Sequence, residues 1–168
     1  MRIYLVGYMG AGKSTTSKRL ANRLGWEAYD TDRLFEERFK ISINDFFKKY
    51  DVDLYRKLET QILHDTLRFD NAVIATGGGT ACFNNNMDWM NQNGLTIFLR
   101  ISQQAVCDRL GHSKVRRPLI YDRPPEEVES FIRQNYAERL PFYEQARLTV
   151  KSENLDIDGL AAIIASTQ

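Results

Sequence analysis

Residues Gly7-Tyr8-Met9-Gly10-Ala11-Gly12-Lys13-Ser14 satisfy the spacing G-x-x-x-x-G-K-[ST] of a phosphate-cradling loop. Glycines at these positions let the backbone approach phosphate oxygens without a Cβ in the way and turn successive N–H groups inward. Lys13 has the charge and reach for the β- and γ-phosphates, and the Ser14 hydroxyl suits the Mg²⁺ that bridges them. Gly10, Ala11, Gly12, Lys13, Ser14 and Thr15 are therefore the candidate nucleotide contacts. A glycine-rich turn beside a surface lysine is the bland reading of the same letters. The flanks speak against it, because Ile3-Tyr4-Leu5-Val6 is an apolar run suited to a buried strand and a helical pattern follows Ser14.

A second group of chemical interest is Asp30-Thr31-Asp32, which follows a short strand, Glu27-Ala28-Tyr29, and precedes a helix expected over 33–39. Asp32 has two readings: N-cap of that helix, or a group facing substrate. P-loop enzymes commonly set a magnesium aspartate at the end of a neighbouring apolar strand. The run Ala72-Val73-Ile74-Ala75 carries none and passes instead into Thr76-Gly77-Gly78-Gly79-Thr80. That leaves Asp30 to support the metal through water beside Ser14, and Asp32 to face the phosphoryl acceptor. Three glycines after a parallel strand let a ligand lie against the backbone. Arg56 by itself reads as an exposed side chain pairing with Glu59 three residues on. The run 111–125 holds Lys114, Arg116, Arg117, Arg123 and three prolines. Such a run is commonly a solvated face, but in a nucleotide enzyme it also serves as a lid that closes over phosphates and shuts out water.

These groups need a scaffold, and the periodicity supplies one. Helical patterns run over 15–24, stopped by Gly25, and from Ser42, which caps a turn carrying Ile43, Phe46 and Phe47. Leu54, Leu58 and Ile62 define the apolar face of the next helix. Residues 84–92 form a further helix with Met87 and Met90 inward, and 95–99 a central strand. A helix opening at Ser102 sets Ala105, Val106, Arg109 and Leu110 on one flank. The helix after Pro124-Pro125 is expected to end near Leu140, before Pro141. Leu148-Thr149-Val150 is the last strand, and Asp156 caps a final helix with Leu160, Ile163 and Ile164 inward. The alternation predicts an α/β fold: a central parallel sheet covered by helices on both faces, with ligands at the carboxyl ends of the strands.

With 168 residues the chain fits one domain with a substantial core. Its 23 basic and 22 acidic side chains, net charge +1, give no electrostatic reason to expect nucleic acid or an anionic membrane as partner. Cys82 and Cys107 lack metal-ligand spacing and read as two reduced thiols. The first residues enter a strand directly and no apolar run reaches transmembrane length, so a soluble cytoplasmic protein is expected.

Taken in order, these motifs resemble those of the shikimate kinase family over nearly the whole chain. The family's G-x-M-G-x-G-K-[ST] stands as Gly7 to Ser14 and its D-T-D as Asp30-Thr31-Asp32. Its F-R-x-x-E stands as Tyr55-Arg56-Lys57-Leu58-Glu59 and its G-G-G as Gly77-Gly78-Gly79. Its lid R-P-L is Arg117-Pro118-Leu119 and its R-x-P-x-Y is Arg139-Leu140-Pro141-Phe142-Tyr143. The resemblance implies a three-layer P-loop fold with five parallel strands, similar to the nucleoside monophosphate kinases. One domain would span 1–168, with an acceptor region about 31–60 and a mobile lid about 111–125.

It further implies ATP-dependent phosphorylation of the 3-hydroxyl of shikimate, with Mg²⁺, by a monomer. Asp32, Arg56, Arg139 and Gly78, with the flanking Gly77 and Gly79, would hold shikimate, and Phe47 would pack beside its ring. Lys13, Asp32 and Arg117 would act in catalysis, Arg117 reaching the transferred phosphate from the lid, and Arg109 would lie near the adenine. Tyr55 departs from the family's usual phenylalanine, and its hydroxyl needs a partner or solvent. Rival readings are another kinase of the same architecture, such as a gluconate or nucleoside monophosphate kinase, and a non-catalytic nucleotide-binding module. A GTPase-like switch would need a guanine-reading N-K-x-D, and the sequence has none.

Overall fold

The computed structural model describes residues 1–111, 120 and 122–167. The expected lid arginine, Arg117, and most of the basic run lie outside the described residues.

Five strands form one sheet. The first, β1 (Arg2–Val6), is followed by α1 (Lys13–Leu24), β2 (Glu27–Asp30), α2 (Thr31–Phe39), α3 (Ile43–Lys49) and α4 (Val52–Asp65). Then come β3 (Ala72–Ala75), α5 (Asn86–Asn93), β4 (Leu95–Arg100), α6 (Gln103–Gly111), α7 (Pro125–Tyr143), β5 (Leu148–Lys151) and α8 (Ile157–Ser166). Every pairing is parallel and the order is β2-β3-β1-β4-β5. The three inner strands are largely apolar because both their faces are covered: Ile3 to Val6, Ala72 to Ala75 and Ile97 to Leu99 are all buried.

The topology decides which loops meet. Strand β1 pairs with β3 in a register that sets Leu5 opposite Ala75, so the loop after β1 and the triple glycine after β3 emerge side by side. Strand β2 pairs with β3 with Asp30 opposite Ala75, which brings the Asp30-Thr31-Asp32 turn to the same edge. A separate apolar cluster of Phe35, Phe46, Tyr55 and Ile62 ties α2, α3 and α4 together beside the main core. Its rings meet in tilted and edge contacts, with Phe35 and Phe46 centroids 5.3 Å apart.

Four expectations need correction. Helix α2 begins at Thr31, two residues before the expected 33, and of the two readings of Asp32 the cap falls away: Asp30 caps the helix, its Oδ1 accepting from the Asp32 N–H at 3.0 Å. On α4, Leu54 is 38% exposed, and the buried face is Tyr55, Glu59, Ile62 and Leu63. The leucine spacing misled because a tyrosine and a glutamate, satisfied by one another, occupy positions that apolar periodicity assigns to solvent. Helix α7 continues through Pro141 to Tyr143. A proline near the end of a helix forfeits the bond to the carbonyl four residues back and crowds that carbonyl, while Tyr143 is drawn inward onto Phe98, ring centroids 5.3 Å apart. On α8, Ile163 is 51% exposed and Ala161 takes the inward place.

Candidate active site

The phosphate loop owes its shape to its sequence. Gly10 and Gly12 have φ of 84° and 85°, a conformation that L side chains rarely adopt, and Gly12 precedes the first turn of α1. Lys13 is buried inside the loop, its Nζ donating to the carbonyls of Gly7 at 2.7 Å and Tyr8 at 3.0 Å. Arg109, from α6, donates through Nη1 to the Gly10 carbonyl at 2.8 Å. A cavity of about 230 Å³ opens over this loop, lined by Gly10, Gly12, Lys13, Ser14, Thr15 and Asp30 among others. The Ser14 hydroxyl donates to Asp30 Oδ2. One carboxylate thus caps α2 with one oxygen and holds the loop serine with the other.

Beside it lies a second cavity of about 270 Å³, lined by Asp32, Phe47, Tyr55, Arg56, Glu59, Gly77, Gly78, Gly79 and Arg139 together with Met9, Ile43 and Val52. Met9, Asp32 and Gly78 line both cavities. A larger hollow of about 700 Å³ near Arg38, His64, Asp65 and Phe69 has none of the loop, glycine or Asp32 residues in its wall. It precedes β3 in the chain, at the amino end of the strands, whereas parallel sheets bind ligands at the carboxyl end.

Positive charge in the second cavity comes from α4 and α7. Arg56 is not exposed as expected: its side chain is 13% accessible, and Nη1 donates to Glu59 Oε1 at 2.8 Å, with Glu59 only 5% accessible. Its guanidinium stacks 4.0 Å from the centroid of the Phe83 ring. Arg139 is also buried and stands 5.9 Å from the Tyr8 ring centroid. Tyr8 reaches from the phosphate loop to α7, where its hydroxyl donates to Asn135 Oδ1 at 2.6 Å, one turn before Arg139.

The triple glycine is a matter of volume. A Cβ on Gly77 would come within 2.9 Å of Thr80 Oγ1, 3.0 Å of Asp32 Oδ1 and 3.1 Å of Glu59 Oε2. On Gly78 it would meet the Met9 backbone nitrogen at 3.3 Å, and on Gly79 both Nη atoms of Arg56 at 2.7 Å. The segment is held in place by the Thr31 hydroxyl, which accepts from the Gly77 N–H at 3.2 Å, and by the Tyr143 hydroxyl, which donates to the Gly78 carbonyl.

Burial keeps the hydroxyls and the thiol here protonated. Desolvation raises Tyr143 well above its ordinary value, as it does Tyr8. Tyr55 is raised by burial and then by the neighbouring charges of Glu59 and Asp32. Burial pushes the Cys82 thiol up to about 11 against the opposing pull of Arg139 and Arg56. These groups are therefore donors or inert at neutral pH, and the charge of the cavity belongs to its arginines and carboxylates.

A phosphate-type loop and a cavity with two arginines thus meet at one aspartate, an arrangement that can hold two anionic ligands side by side. The model of the family described as shikimate kinase matches residues 9–166. A shikimate kinase of Azobacteroides pseudotrichonymphae is 42% identical over 148 residues, covering 88% of this chain and 87% of its own. The chain belongs to the shikimate kinase family.

Solved structures of shikimate kinases agree over almost the full length. The one from Bacteroides thetaiotaomicron superimposes with a TM-score of 0.89 at 36% identity, covering 99% of this chain and 97% of that one. That from Acinetobacter baumannii, solved in complex with shikimate, gives 0.86 at 32%, covering 99% and 91%. The expected fold, five parallel strands between layers of helices, is thereby shown.

Of the family positions read from the sequence, the structure gathers Asp32, Phe47, Arg56, Gly77, Gly78, Gly79 and Arg139 into one cavity. Gly10, Gly12, Lys13, Ser14, Thr15 and Asp30 line the adjoining one; Ala11 is buried beneath it, and Arg109 sits on the loop's outer carbonyl. Sequence reasoning took Glu59 for no more than a partner of Arg56 and a motif position, named Thr80 and Tyr143 within motifs without giving them a role, and did not single out Asn135. Their roles rest on contacts between residues up to 127 positions apart, of which the sequence bears no local sign.

Proposed function

We propose that this kinase transfers the γ-phosphoryl of ATP to the 3-hydroxyl of shikimate, as a cytoplasmic monomer using Mg²⁺. One observation carries the reading: a cavity holding the buried Arg139, the largely enclosed Arg56 and Asp32 abuts the phosphate loop through Met9, Asp32 and Gly78. An acceptor with one carboxylate and several hydroxyls calls for guanidinium donors on the first and an acceptor group on the second. Arg56 and Arg139 answer the carboxylate. Asp32, where the cavities join, answers the reacting hydroxyl.

Phosphoryl transfer of this kind depends chiefly on alignment and charge stabilisation. Asp32 orients the nucleophilic hydroxyl in line with the phosphorus and is placed to receive its proton as the bond forms. Lys13, released from the carbonyls of Gly7 and Tyr8, neutralises oxygens of the β- and γ-phosphates. Arg117 adds positive charge from the lid, and Arg109 lies toward the base. Ser14 and Asp30 are hard oxygen donors already in contact, which suits Mg²⁺ held by the serine hydroxyl with Asp30 behind a water. When bound, that ion would supply neutralisation of the phosphate charge.

The test is a coupled ADP-release assay with ATP and Mg²⁺, comparing shikimate with gluconate and nucleoside monophosphates. Turnover of shikimate alone is expected. No turnover of shikimate at millimolar concentration refutes the reading, and a metal titration with EDTA reversal checks the Mg²⁺ requirement separately.

A further inference from the structure

Tyr55 lines the acceptor cavity but has no part in the transfer described above. Its ring packs against Phe35 and Phe47, with centroids 5.3 Å and 4.6 Å away, contacts that a phenylalanine would keep. The hydroxyl is what distinguishes it. It donates to Glu59 Oε2 at 3.2 Å, and the same oxygen accepts from Thr80 Oγ1 at 2.8 Å. The other oxygen, Oε1, accepts from Arg56 Nη1 at 2.8 Å. Burial and the adjacent carboxylates keep Tyr55 protonated, so it remains a donor.

This division of labour on one carboxylate matters for Arg56. A carboxylate left with two available oxygens tends to engage a guanidinium as a two-point fork, which occupies a whole edge of the arginine. Here two hydroxyls fill Oε2, and Glu59 meets Arg56 at one point. The Arg56 Nε is buried without a hydrogen-bond partner among the described residues. Phe83 covers one face of the guanidinium, and Gly79 leaves it no slack, with a notional Cβ only 2.7 Å from both Nη atoms.

We propose that Tyr55 is a positioning residue for the acceptor: its hydroxyl, with that of Thr80, confines Glu59 to a one-point contact and so reserves the remaining Arg56 donors for the substrate carboxylate. Removal of the hydroxyl lets Glu59 turn toward Arg56 and compete with the acceptor. The inference rests on the assignment of Arg56 to that carboxylate, so the experiment separates the two.

The comparison is of kcat/KM for shikimate against its carboxamide, which lacks the charge Arg56 would read. In Tyr55→Phe, KM for shikimate should rise about fivefold, the worth of one hydrogen bond, while kcat and the KM for ATP change less than twofold. The preference for shikimate over the carboxamide should fall by the same factor. Thr80→Val should act in the same direction, and Thr80→Ser, which keeps the hydroxyl, should restore the preference. A melting temperature for each variant checks folding, and a merely structural role would lower stability without moving the preference. If Arg56→Lys erodes the preference and Tyr55→Phe does not, the inference about Tyr55 is wrong and the site assignment stands. If Arg56→Lys leaves the preference intact, the assignment of Arg56 falls, and the inference with it.

Discussion

Replacement of Gly79 by alanine isolates the geometry of Arg56 from everything else in the site. Gly79 has φ −99° and ψ −8°, a conformation open to any residue, so the substitution introduces no backbone strain. Its effect is steric. The new Cβ would stand 2.7 Å from both Nη atoms and 3.0 Å from Cζ of Arg56, where ordinary contact begins at 3.4 Å. The guanidinium must therefore retreat by about 0.7 Å. A free arginine tip would do so at little cost, but this one is held by Glu59 at 2.8 Å and backed by Phe83 at 4.0 Å. The displacement falls on the donors that face the cavity. Loss of one charge-assisted hydrogen bond to the acceptor is worth about 1.5–3 kcal/mol, or roughly 10- to 100-fold in KM for shikimate. The phosphate loop is untouched, so ADP affinity measured by calorimetry should stay within twofold. Folding should suffer by about 1 kcal/mol at most, about 2–4 °C in Tm for a domain of this size. Steady-state kinetics with shikimate varied at saturating ATP reads the effect. A shikimate KM within twofold of wild type would refute the placement of Arg56, and an equal loss of ADP affinity would show that the whole loop had moved.

Three further outcomes are expected. Asp32→Asn should bind ADP normally while kcat falls by about 10²- to 10⁴-fold; near-normal turnover removes Asp32 from the mechanism. Arg117→Ala should lower kcat by roughly 10²–10³ with a smaller effect on nucleotide affinity, as for a group acting mainly in the transition state; a loss of affinity alone would assign it to binding. Stability should fall in alkali. Cys82 is an acid whose folded value, about 11, exceeds its ordinary 9.0, so the unfolded chain ionises first. The stability it contributes is complete below pH 9 and is lost as pH rises toward 11. The buried Tyr8, Tyr55 and Tyr143, raised in the same direction, extend the loss above pH 10. A Tm that stays flat from pH 8 to pH 11 would contradict these shifts, and Cys82→Ala should lessen the first part of the decline, to which Cys107, raised in the same direction, also contributes.

What was legible in the sequence is what is local. The G-x-x-x-x-G-K-[ST] spacing, the Gly25 stop, the Ser42 and Asp156 caps and the inner strands all follow from neighbours a few residues apart, and the structure bears them out. Asp30 and Asp32 are separable in role, but which of them caps the helix stays open on sequence grounds, since either aspartate can begin one. On sequence alone the apolar face of α4 falls one position off, because Tyr55 and Glu59 look like surface residues until Thr80 reaches Glu59 from 21 positions away and Arg56 from the adjacent turn. Pro141 reads locally as a stop, but the burial of Tyr143 outweighs the missing hydrogen bond and crowding it brings near the end of α7. In both of these helices a tertiary contact overrides a local preference.

The shared wall between the two cavities has a consequence for ligand design. Met9, Asp32 and Gly78 belong to both hollows, of about 230 and 270 Å³, so one molecule can occupy both without a linker crossing solvent. A short, stiff bridge between a polyphosphate mimic and a hydroxylated ring acid makes the second binding event intramolecular, which raises affinity by about 10²- to 10⁴-fold when the span matches. The neutral isostere chosen to replace the transferring phosphoryl would sit against Asp32. Its tolerance of that carboxylate, more than the affinity of either half, would then decide whether such a compound inhibits.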